Sequence, residues 1–354
     1  MSNRVKVGII GTGTIGTVHA EVLQAVPEAQ IVALCDIDAA KLADRAKRFG
    51  VTSTFADYRD LLKSDVQAVV IATPNFLHKP MAVAALRAGK NVLVEKPMTM
   101  NTAEATEIVQ AVKETGKLLN VGNCTRQNQQ IQVVKEYIDS GFFGHIYHMR
   151  AVLIRRRGIP GMGGWFTTNA KSGGGGLIDC GVHWLDLAMY LSGYWKPTTV
   201  SAATYAKFGP RMRNYVFVDM WGPPNYESGV FDVEDYSTGF VRFEGGATMV
   251  FDVAWAANAQ DQGYIEFMGD KAGVRVLESG ATTIFTEDHG KVADLSPKFP
   301  PGESNHQAQD RRFIHACLGQ RPVDVPAEQG LITVKLIETI YASSQAQKEI
   351  AINW

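Results

Sequence analysis

The sequence is poor in the features that mark several classes of protein. Its four cysteines, Cys35, Cys124, Cys180 and Cys317, lie far apart and include no Cys-x-x-Cys pair. This spacing argues against a zinc site and against a disulfide framework, so we expect no bound metal. No stretch approaches about 18 uninterrupted apolar residues, the length that a membrane-spanning helix needs, and we expect no membrane partner.

An excess of charge of either sign is also missing. The chain carries 35 basic and 36 acidic residues and has a net charge of −1 at pH 7. Because it has no basic tail or stripe, we expect no nucleic-acid partner. Residues 1–4 lead directly into an apolar strand pattern without the long apolar core of a signal peptide. Together with the isolated cysteines, this start predicts a cytoplasmic protein.

The chain does contain enough apolar sequence for more than one core. Of its 354 residues, 45% are hydrophobic and 20% are charged, which is ordinary for a soluble globular protein. The length exceeds the size at which a single core keeps growing, so two domains are expected. The pattern of predicted elements changes after Gly122. We therefore predict one domain over residues 1–122 and a second over residues 123–354.

The first half alternates short apolar runs with helical patterns. The predicted strands are Val5–Ile10, Ile31–Cys35, Ala68–Ala72, Asn91–Val94 and Leu118–Val121. The predicted helices between them are Ile15–Gln24, Ala39–Phe49, Leu77–Ala88 and Thr102–Thr115. The strands are continuously apolar and rich in Val, Ile and Leu, which is typical of a parallel sheet buried on both faces. This half predicts an α/β domain.

The second half is dominated by strands with a period of two. After a predicted helix around Gln130–Ser140, the predicted strands are His145–Ile154, Thr199–Tyr205, Ser237–Phe243, Ala247–Trp255, Tyr264–Gly269 and Gly273–Leu277. The run Glu244-Gly245-Gly246 predicts a hairpin turn between two of them. The last long helix is predicted over Glu328–Gln347. This pattern indicates an α+β domain built on a largely antiparallel sheet with one open face.

The glycine pattern after the first predicted strand is the most informative motif. Gly11, Gly13 and Gly16 form a Gly-x-Gly-x-x-Gly turn that leads into a helix, with Thr14 and Ile15 between the last two glycines. Such a turn brings backbone amides and the positive end of a helix dipole to a phosphate group. With a strand before it and a helix after it, the turn predicts a dinucleotide site. The alternative is a glycine-rich turn without a ligand.

An acidic residue at the end of the second predicted strand indicates which dinucleotide binds. Asp36, followed by Ile37, stands 20 residues after Gly16, where a carboxylate accepts hydrogen bonds from the adenosine ribose. The same carboxylate repels a 2′-phosphate. No Arg or Lys lies between Asp36 and Lys41. We therefore expect NAD as the cofactor, in preference to NADP.

Polar residues follow the third and fourth predicted strands. The third ends in Thr73-Pro74-Asn75, with His78 three residues further on, and the fourth ends in Glu95-Lys96-Pro97. Ligands of an open parallel sheet lie beyond the carboxyl ends of its strands. An ammonium partly removed from water, such as that of Lys96, loses affinity for its proton and polarises or protonates a substrate hydroxyl. The alternatives are a capped loop for the first motif and a surface lysine for the second.

A glycine run in the second half precedes a further group of candidate catalytic residues. Residues Gly173–Gly176 are followed by a helical pattern that runs to about Leu191 and carries Asp179 and His183 four residues apart. These two side chains share a helix face, and a histidine beside a carboxylate is a suitable general base near neutral pH. The alternative is a satisfied polar pair without catalytic function.

Other substrate-binding candidates are an aromatic residue and several arginines. Trp165 offers a ring that stacks on a sugar face, and Arg126 or the run Arg155–Arg157 offers guanidinium groups to hydroxyls or anions. For each of these side chains, core packing or a solvated charge is the competing explanation.

Together these residues resemble the family of glucose–fructose oxidoreductase and myo-inositol dehydrogenase, the Gfo/Idh/MocA family, over essentially the whole chain. The glycine turn with Asp36, the Thr73–His78 loop, Glu95-Lys96-Pro97 and Asp179-x-x-x-His183 occur in that family's order and approximate spacing. The resemblance implies an N-terminal Rossmann domain and a C-terminal α+β domain on a large, mostly antiparallel open sheet. That sheet commonly makes subunit contacts, which implies a homodimer or homotetramer.

The resemblance also implies the roles of particular residues. Lys96, Asp179 and His183 are expected to be catalytic, and these three with Arg126 and Trp165 are expected to bind substrate. The cofactor is expected to contact Gly11, Gly13, Thr14, Ile15, Gly16, Asp36, Ile37, Thr73, Pro74, Asn75, His78, Glu95 and Lys96. Arg126 resembles an arginine that often follows the fifth strand in this family.

The leading hypothesis is an NAD-dependent dehydrogenase that oxidises a secondary hydroxyl of a cyclic polyol, sugar or sugar derivative. Two alternatives stay open. One is a redox-neutral glycosidase that uses NAD only transiently and releases no net NADH. The other is a regulatory protein that binds a dinucleotide without catalysis, although such a protein has no need of Lys96, Asp179 and His183 together.

Overall fold

The computed structural model describes residues 4–218, 220, 222, 224–299 and 302–354. The chain divides into two compact units. The first unit comprises Met1–Gln127 and Glu303–Val334, and the second comprises Asn128–Gly302 and Lys335–Trp354. Within the described ranges, no helix is long and apolar enough to cross a membrane.

The first unit is built on a parallel sheet. Its strands are β1 (Val5–Ile10), β2 (Ala29–Cys35), β3 (Ser53–Phe55), β4 (Ala68–Ile71), β5 (Asn91–Val94) and β6 (Leu119–Val121). The spatial order is β3-β2-β1-β4-β5-β6, and the neighbouring pairs are parallel. The strand order reverses between β1 and β4, which is where such sheets hold a ligand. The predicted Rossmann fold is confirmed.

Helices connect these strands and begin and end where the local chemistry requires. They are α1 (Thr14–Gln24), α2 (Ala39–Phe49), α3 (Tyr58–Leu62), α4 (His78–Arg87) and α5 (Thr102–Thr115). The Asp38 side chain accepts a hydrogen bond from the Lys41 amide at 3.0 Å and caps α2. Gly50 ends the same helix with a φ of 68°, a left-handed conformation that glycine adopts without strain.

The second unit contains a nine-stranded sheet. Its strands are β7 (Ile146–Ile154), β8 (Pro197–Tyr205), β9 (Tyr236–Phe243), β10 (Thr248–Ala254), β11 (Gln262–Gly269), β12 (Gly273–Leu277), β13 (Thr282–Asp288), β14 (Lys291–Leu295) and β15 (Ile350–Ala351). The order is β14-β13-β12-β11-β7-β10-β9-β8-β15. The pair β7 and β10 is parallel, whereas the other paired strands are antiparallel. The predicted sheet type is confirmed.

Helices also occur in the second unit. They are α6 (Gln129–Asp139), α7 (Asn169–Ser172) and α8 (Val182–Ser192), and α8 packs against β7 and β11. The helix predicted from Leu177 onward begins differently, because Leu177–Gly181 form a π-helical turn before α8. The last two helices of the chain are α9 (Asn305–Cys317) and α10 (Ala327–Ala346).

The return of the chain to the first unit was not predicted. We expected everything after residue 122 to lie in the second domain, but residues 303–334 pack with the first unit. Phe313 and Ile314 of α9 are buried in the same apolar cluster as Leu23 of α1. A single domain boundary cannot describe a unit that the chain leaves and later re-enters. The predicted division therefore assigns residues 303–334 to the second domain, whereas in the structure they belong to the first unit.

A buried ionic chain links α9 to the rest of the first unit. His19 of α1 is fully buried, with its Nδ1 2.8 Å from Asp310 Oδ2 and its Nε2 3.1 Å from Glu95 Oε1. Burial alone would lower the pKa of His19, but hydrogen bonds and charges of the two carboxylates outweigh it and raise the pKa to about 10. Burial likewise opposes ionisation of Glu95, yet His19 holds the pKa of that carboxyl at about 2. His19 is therefore an imidazolium at neutral pH.

Replacing this histidine is expected to change how stability depends on pH. The folded-state pKa of His19 lies above its unfolded value of 6.5, so its stabilisation is complete below pH 6.5 and is lost as the pH rises through about 10. The difference in unfolding free energy between the wild type and His19→Gln should therefore shrink as the pH rises from 6.5 to about 10, by up to about 1.4 kcal/mol per pH unit. Urea unfolding of both proteins at about pH 6, 8 and 9.5 measures this difference.

A matched control is His289, whose side chain is 91% exposed and pairs with Asp288. The difference between the wild type and His289→Gln should stay constant over the same pH range. A pH-independent difference for His19→Gln as well would show that the buried ring is neutral and would contradict the assignment.

Candidate active site

The glycine turn has the close contacts that a dinucleotide-binding turn requires. Gly11 has a φ of 92°, and a Cβ on it would stand 2.5 Å from the carbonyl oxygen of Ala72. A Cβ on Gly16 would overlap the carbonyl oxygen of Gly11. Around the Cβ position of Gly13, by contrast, no described atom lies within 4 Å. Two glycines thus allow tight packing, and the third leaves open space beside the backbone.

This open space lies at the start of α1. Gly13 precedes the first helical residue, Thr14, and has no side chain to cap the amides of the first turn. Thr14 is exposed and Ile15 is half-buried. Amides at a helix start, open space and the helix dipole together fit a phosphate group. The residues of the turn therefore fit the dinucleotide expected from the sequence.

Asp36 lies against this turn, as its position after β2 predicts. Its Oδ2 accepts hydrogen bonds from the Thr12 amide at 2.7 Å and from the Thr12 hydroxyl at 2.8 Å. The other carboxylate oxygen accepts the Asp38 amide at 3.0 Å. The adjacent Ile37 side chain is 92% exposed. A fixed carboxylate and an exposed apolar side chain therefore flank the glycine turn.

The loop after β4 also meets the glycine turn. The Thr73 methyl carbon is 3.0 Å from the Cβ position of Gly11. Thr73 and Pro74 are half-buried, while Asn75 is buried. The structure thus brings the predicted polar loop and the predicted phosphate-binding turn to the same edge of the sheet.

His78 has a different environment from the one we expected. Its ring is buried, with Nδ1 2.7 Å from the Pro97 carbonyl oxygen and Nε2 2.8 Å from the Thr73 carbonyl oxygen. Burial lowers the pKa of the imidazole, which favours the neutral ring, and a neutral ring donates to one of the two carbonyls at a time. These contacts favour a role in joining the loops after β4 and β5 over direct contact with the cofactor.

Glu95 is likewise buried, next to the half-buried Lys96. Its carboxylate binds His19 and accepts the Lys96 amide at 3.2 Å. A Cβ on Gly122 would stand 2.7 Å from Glu95 Oε1, so a glycine makes room for this carboxylate. These contacts favour a structural role for Glu95 over the predicted cofactor contact. Lys96 therefore lies between two residues with buried partners. These are Glu95, whose carboxylate binds His19, and Pro97, whose carbonyl oxygen contacts His78.

The second unit carries the other predicted catalytic side chains. Asp179 lies in the π-helical turn, His183 lies in the first turn of α8, and both are half-buried. Asp179 Oδ2 accepts a hydrogen bond from the indole N–H of Trp255 at 3.0 Å and lies 3.4 Å from the Cys180 thiol. Trp255, the last residue of the predicted strand Ala247–Trp255, is fully buried. Its indole N–H orients the Asp179 carboxylate.

No pattern in the sequence pointed to this contact with Trp255. The two residues are 76 positions apart, and Trp255 comes directly after a strand whose apolar residues all predict core packing. A buried tryptophan requires a partner for its N–H, but the sequence does not identify that partner.

The structure favours packing over substrate binding for Arg126. Its side chain is 1% exposed and donates to the Asp324 carbonyl at 3.0 Å and to Gln329 Oε1 at 2.7 Å. Trp165 is half-buried, and its ring stacks on Phe166 with centroids 3.8 Å apart. The Trp165 ring thus already has one aromatic neighbour.

The run Arg155–Arg157 makes surface contacts within the second unit. Arg155 pairs with Glu278 at 2.8 Å, and both side chains are 46% exposed. Arg157 lies over the Phe208 ring, with its guanidinium carbon 4.8 Å from the centroid. Solvated charge and local contacts therefore account for both arginines.

Comparisons with known proteins agree with this architecture. Residues 5–123 match the family described as "Oxidoreductase family, NAD-binding Rossmann fold", and residues 131–275 match the "GFO/IDH/MocA C-terminal domain". The D-glucoside 3-dehydrogenase of Escherichia coli is 30% identical over 99% of this chain and 98% of its own length. The NAD-dependent scyllo-inositol 2-dehydrogenase of Bacillus subtilis is 31% identical over 62% of this chain and 63% of its own length.

Solved structures show the same fold. An oxidoreductase domain protein from Kribbella flavida has a TM-score of 0.89 at 24% identity, covering 99% of this chain and 100% of that protein. Levoglucosan dehydrogenase in complex with NADH and levoglucosan has a TM-score of 0.87 at 21% identity, covering 99% and 100%. The matched domains and the full-length relative together establish that this chain is an oxidoreductase of the Gfo/Idh/MocA family.

Proposed function

We propose that this protein is an NAD-dependent dehydrogenase that oxidises a secondary hydroxyl of a cyclic polyol, sugar or sugar derivative. The observation that carries the proposal is the glycine turn of residues 11–16, with open space at Gly13 and the Asp36 carboxylate fixed beside it. The relatives named for glucosides, inositols and levoglucosan support a sugar-like substrate.

The environment of Asp36 supports NAD over NADP. A fixed carboxylate accepts hydrogen bonds from ribose hydroxyls and repels a 2′-phosphate. The nearest following base, Lys41, is engaged with Asp38, with Nζ 3.4 Å from Oδ2. Ile37 offers exposed apolar surface to an adenine ring. When bound, the nicotinamide ring supplies a hydride acceptor.

Three side chains are proposed to handle the substrate hydroxyl. His183 accepts the hydroxyl proton, and Asp179, itself oriented by Trp255, favours the charged imidazole that results. Lys96 donates a hydrogen bond to the oxygen as negative charge develops, which stabilises the transition state more than the ground state. Lys96 and His183 are both candidates for the proton acceptor, and single variants of each distinguish them.

We further propose that the protein forms a homodimer or homotetramer through the open face of the sheet in the second unit. On this face Glu266 is 6% exposed and lies between Arg150, at 3.1 Å, and Arg275, at 2.8 Å. Leu277, which pairs with Tyr264 across β11 and β12, is 40% exposed. A mixed apolar and paired-charge surface of this kind suits contact with a second copy.

A substrate panel tests the reaction class. The protein with NAD, mixed separately with inositols, aldoses, anhydrosugars and glycosides, should form NADH with at least one of them, measured as absorbance of the reduced nicotinamide. Cleavage of a glycoside without net NADH would instead establish the redox-neutral glycosidase. NAD binding without turnover of any substrate would favour the regulatory protein.

Lys96→Ala tests the proposed mechanism. Loss of the ammonium should lower kcat by about 10²- to 10⁴-fold, the usual contribution of a positioned proton-transfer or charged group. NAD affinity, measured by titration calorimetry, should be largely unchanged. The control is Lys113→Ala, since Lys113 is exposed on α5 and should be dispensable. Normal turnover by Lys96→Ala would rule the mechanism out.

Asp36→Asn tests the cofactor assignment. The amide keeps an oxygen for Thr12 but removes the charge, so NAD affinity should fall by roughly tenfold, the equivalent of about 1.4 kcal/mol. NADP affinity should fall less or rise, which narrows the preference for NAD. Asp44→Asn, on the exposed surface of α2, is the control. An unchanged ratio of the two dissociation constants would contradict the role of Asp36.

A further inference from the structure

Two of the glycines before Asp179 have a specific neighbour that leaves no room for a side chain. A Cβ on Gly174 would overlap the hydroxyl of Tyr341, which comes from α10. A Cβ on Gly175 would overlap the carbonyl oxygen of Glu234. The glycine run is thus shaped by Tyr341 and Glu234, residues more than fifty positions away in the sequence.

The side chain of Glu234 holds the backbone of this run. It is buried, and its two oxygens accept the Gly175 amide and the Leu177 amide, each at 2.9 Å. The Tyr341 hydroxyl donates to the same carboxylate at 3.0 Å. Burial raises the pKa of Tyr341 well above its usual value, so the hydroxyl stays protonated and remains a donor. Glu234 and Tyr341 therefore form a clasp around the start of the π-helical turn.

The clasp is connected to Asp179 through the backbone of Gly175. The Asp179 amide donates to the Gly175 carbonyl at 3.0 Å, so Glu234 and Asp179 bind opposite ends of one residue. The Asp179 side chain is held by Trp255, whose own backbone amide donates to the Asp235 carbonyl at 2.9 Å. The dipeptide 234–235 thus supports both the backbone and the carboxylate of Asp179.

We propose that Glu234 and Tyr341 are positioning residues of the dehydrogenase site. They fix Gly175 and Leu177 and thereby set the place of the Asp179 carboxylate and of His183, one helical turn further along. This inference rests on the proposed function, because it assigns a purpose to the placement of those two side chains. It identifies the glycine run as part of the catalytic architecture and not as a flexible loop.

Tyr341→Phe tests the clasp by removing one hydroxyl from a buried carboxylate. The expected result is a roughly tenfold lower kcat, comparable to the loss of one hydrogen bond to a charged group. NAD affinity should be unchanged, since the glycine turn of residues 11–16 lies in the first unit. The matched control is Tyr236→Phe, because Tyr236 donates to Asp252 at 2.6 Å in the same unit. That variant should retain wild-type kcat.

The pH profile separates positioning from a general loss of stability. A nearby carboxylate raises the pKa of an imidazole, so a displaced Asp179 should move the acidic limb of the kcat profile to lower pH in Tyr341→Phe. Glu234→Gln should produce the same shift. The double variant Glu234→Ala/Tyr341→Phe should lose little more activity than Glu234→Ala alone, because that substitution leaves the Tyr341 hydroxyl without its acceptor. If the fold-loss in kcat of the double variant equals the product of the losses of the two single variants, the two residues act independently and the clasp is ruled out.

Hydrogen–deuterium exchange supplies a readout without turnover. Amides of residues 173–183 should exchange faster in Tyr341→Phe than in the wild type, and at the wild-type rate in Tyr236→Phe. Faster exchange with an unchanged kcat and pH profile would overturn the positioning role, as would unchanged exchange. If the wild type oxidises no sugar, the proposed function fails, and the exchange data still decide whether Glu234 and Tyr341 hold this segment.

Discussion

In both units the backbone of a glycine lies so close to a carbonyl oxygen that no side chain fits between them. Gly16 meets the carbonyl of Gly11, and Gly175 meets the carbonyl of Glu234. The first contact lets α1 approach β1 and turn its amides toward a phosphate. The second contact places the π-helical turn that carries Asp179 next to residues 234–235, whose backbone also binds the Trp255 amide. Both sets of proposed functional groups depend on these two close approaches.

Buried hydrogen bonds then fix the side chains that the backbone brings together. Around Lys96, the imidazolium of His19 holds Glu95, and His78 bridges to the Pro97 carbonyl. Around Asp179, the indole of Trp255 binds the carboxylate directly. Preorganised groups of this kind cost no rearrangement when charge develops on a substrate oxygen. The supporting residues are therefore as important to the proposed reaction as those that would touch the substrate.

The sequence predicted the elements whose signal is local. Five parallel strands and the position of Asp36 beside the glycine turn follow from short patterns of apolar, acidic and glycine residues. Strand β3 was missed because it has only three residues, and β14 was missed because its side chains are mostly exposed and show no apolar face. Patterns of periodicity are too weak at that length and polarity.

Long-range partners account for the rest of what the sequence could not predict. The contacts of Glu95 with His19 and of His78 with the Pro97 carbonyl depend on how the strands pack, so no short sequence pattern predicts them. The pairing of Glu234 with Tyr341 spans 107 positions and involves residue types that occur everywhere on protein surfaces. Only the folded chain shows that this carboxylate is buried and that a glycine run is built around it.

In the proposed reaction, hydride passes from a ring carbon of a sugar-like substrate to the nicotinamide. Isotope transfer tests this most directly: the protein and NAD are incubated with substrates deuterated at every ring carbon, and the mass of the recovered NADH is measured. The account predicts one deuterium per NADH formed. NADH without deuterium, or glycoside cleavage with no deuterium passing through the cofactor, would contradict it.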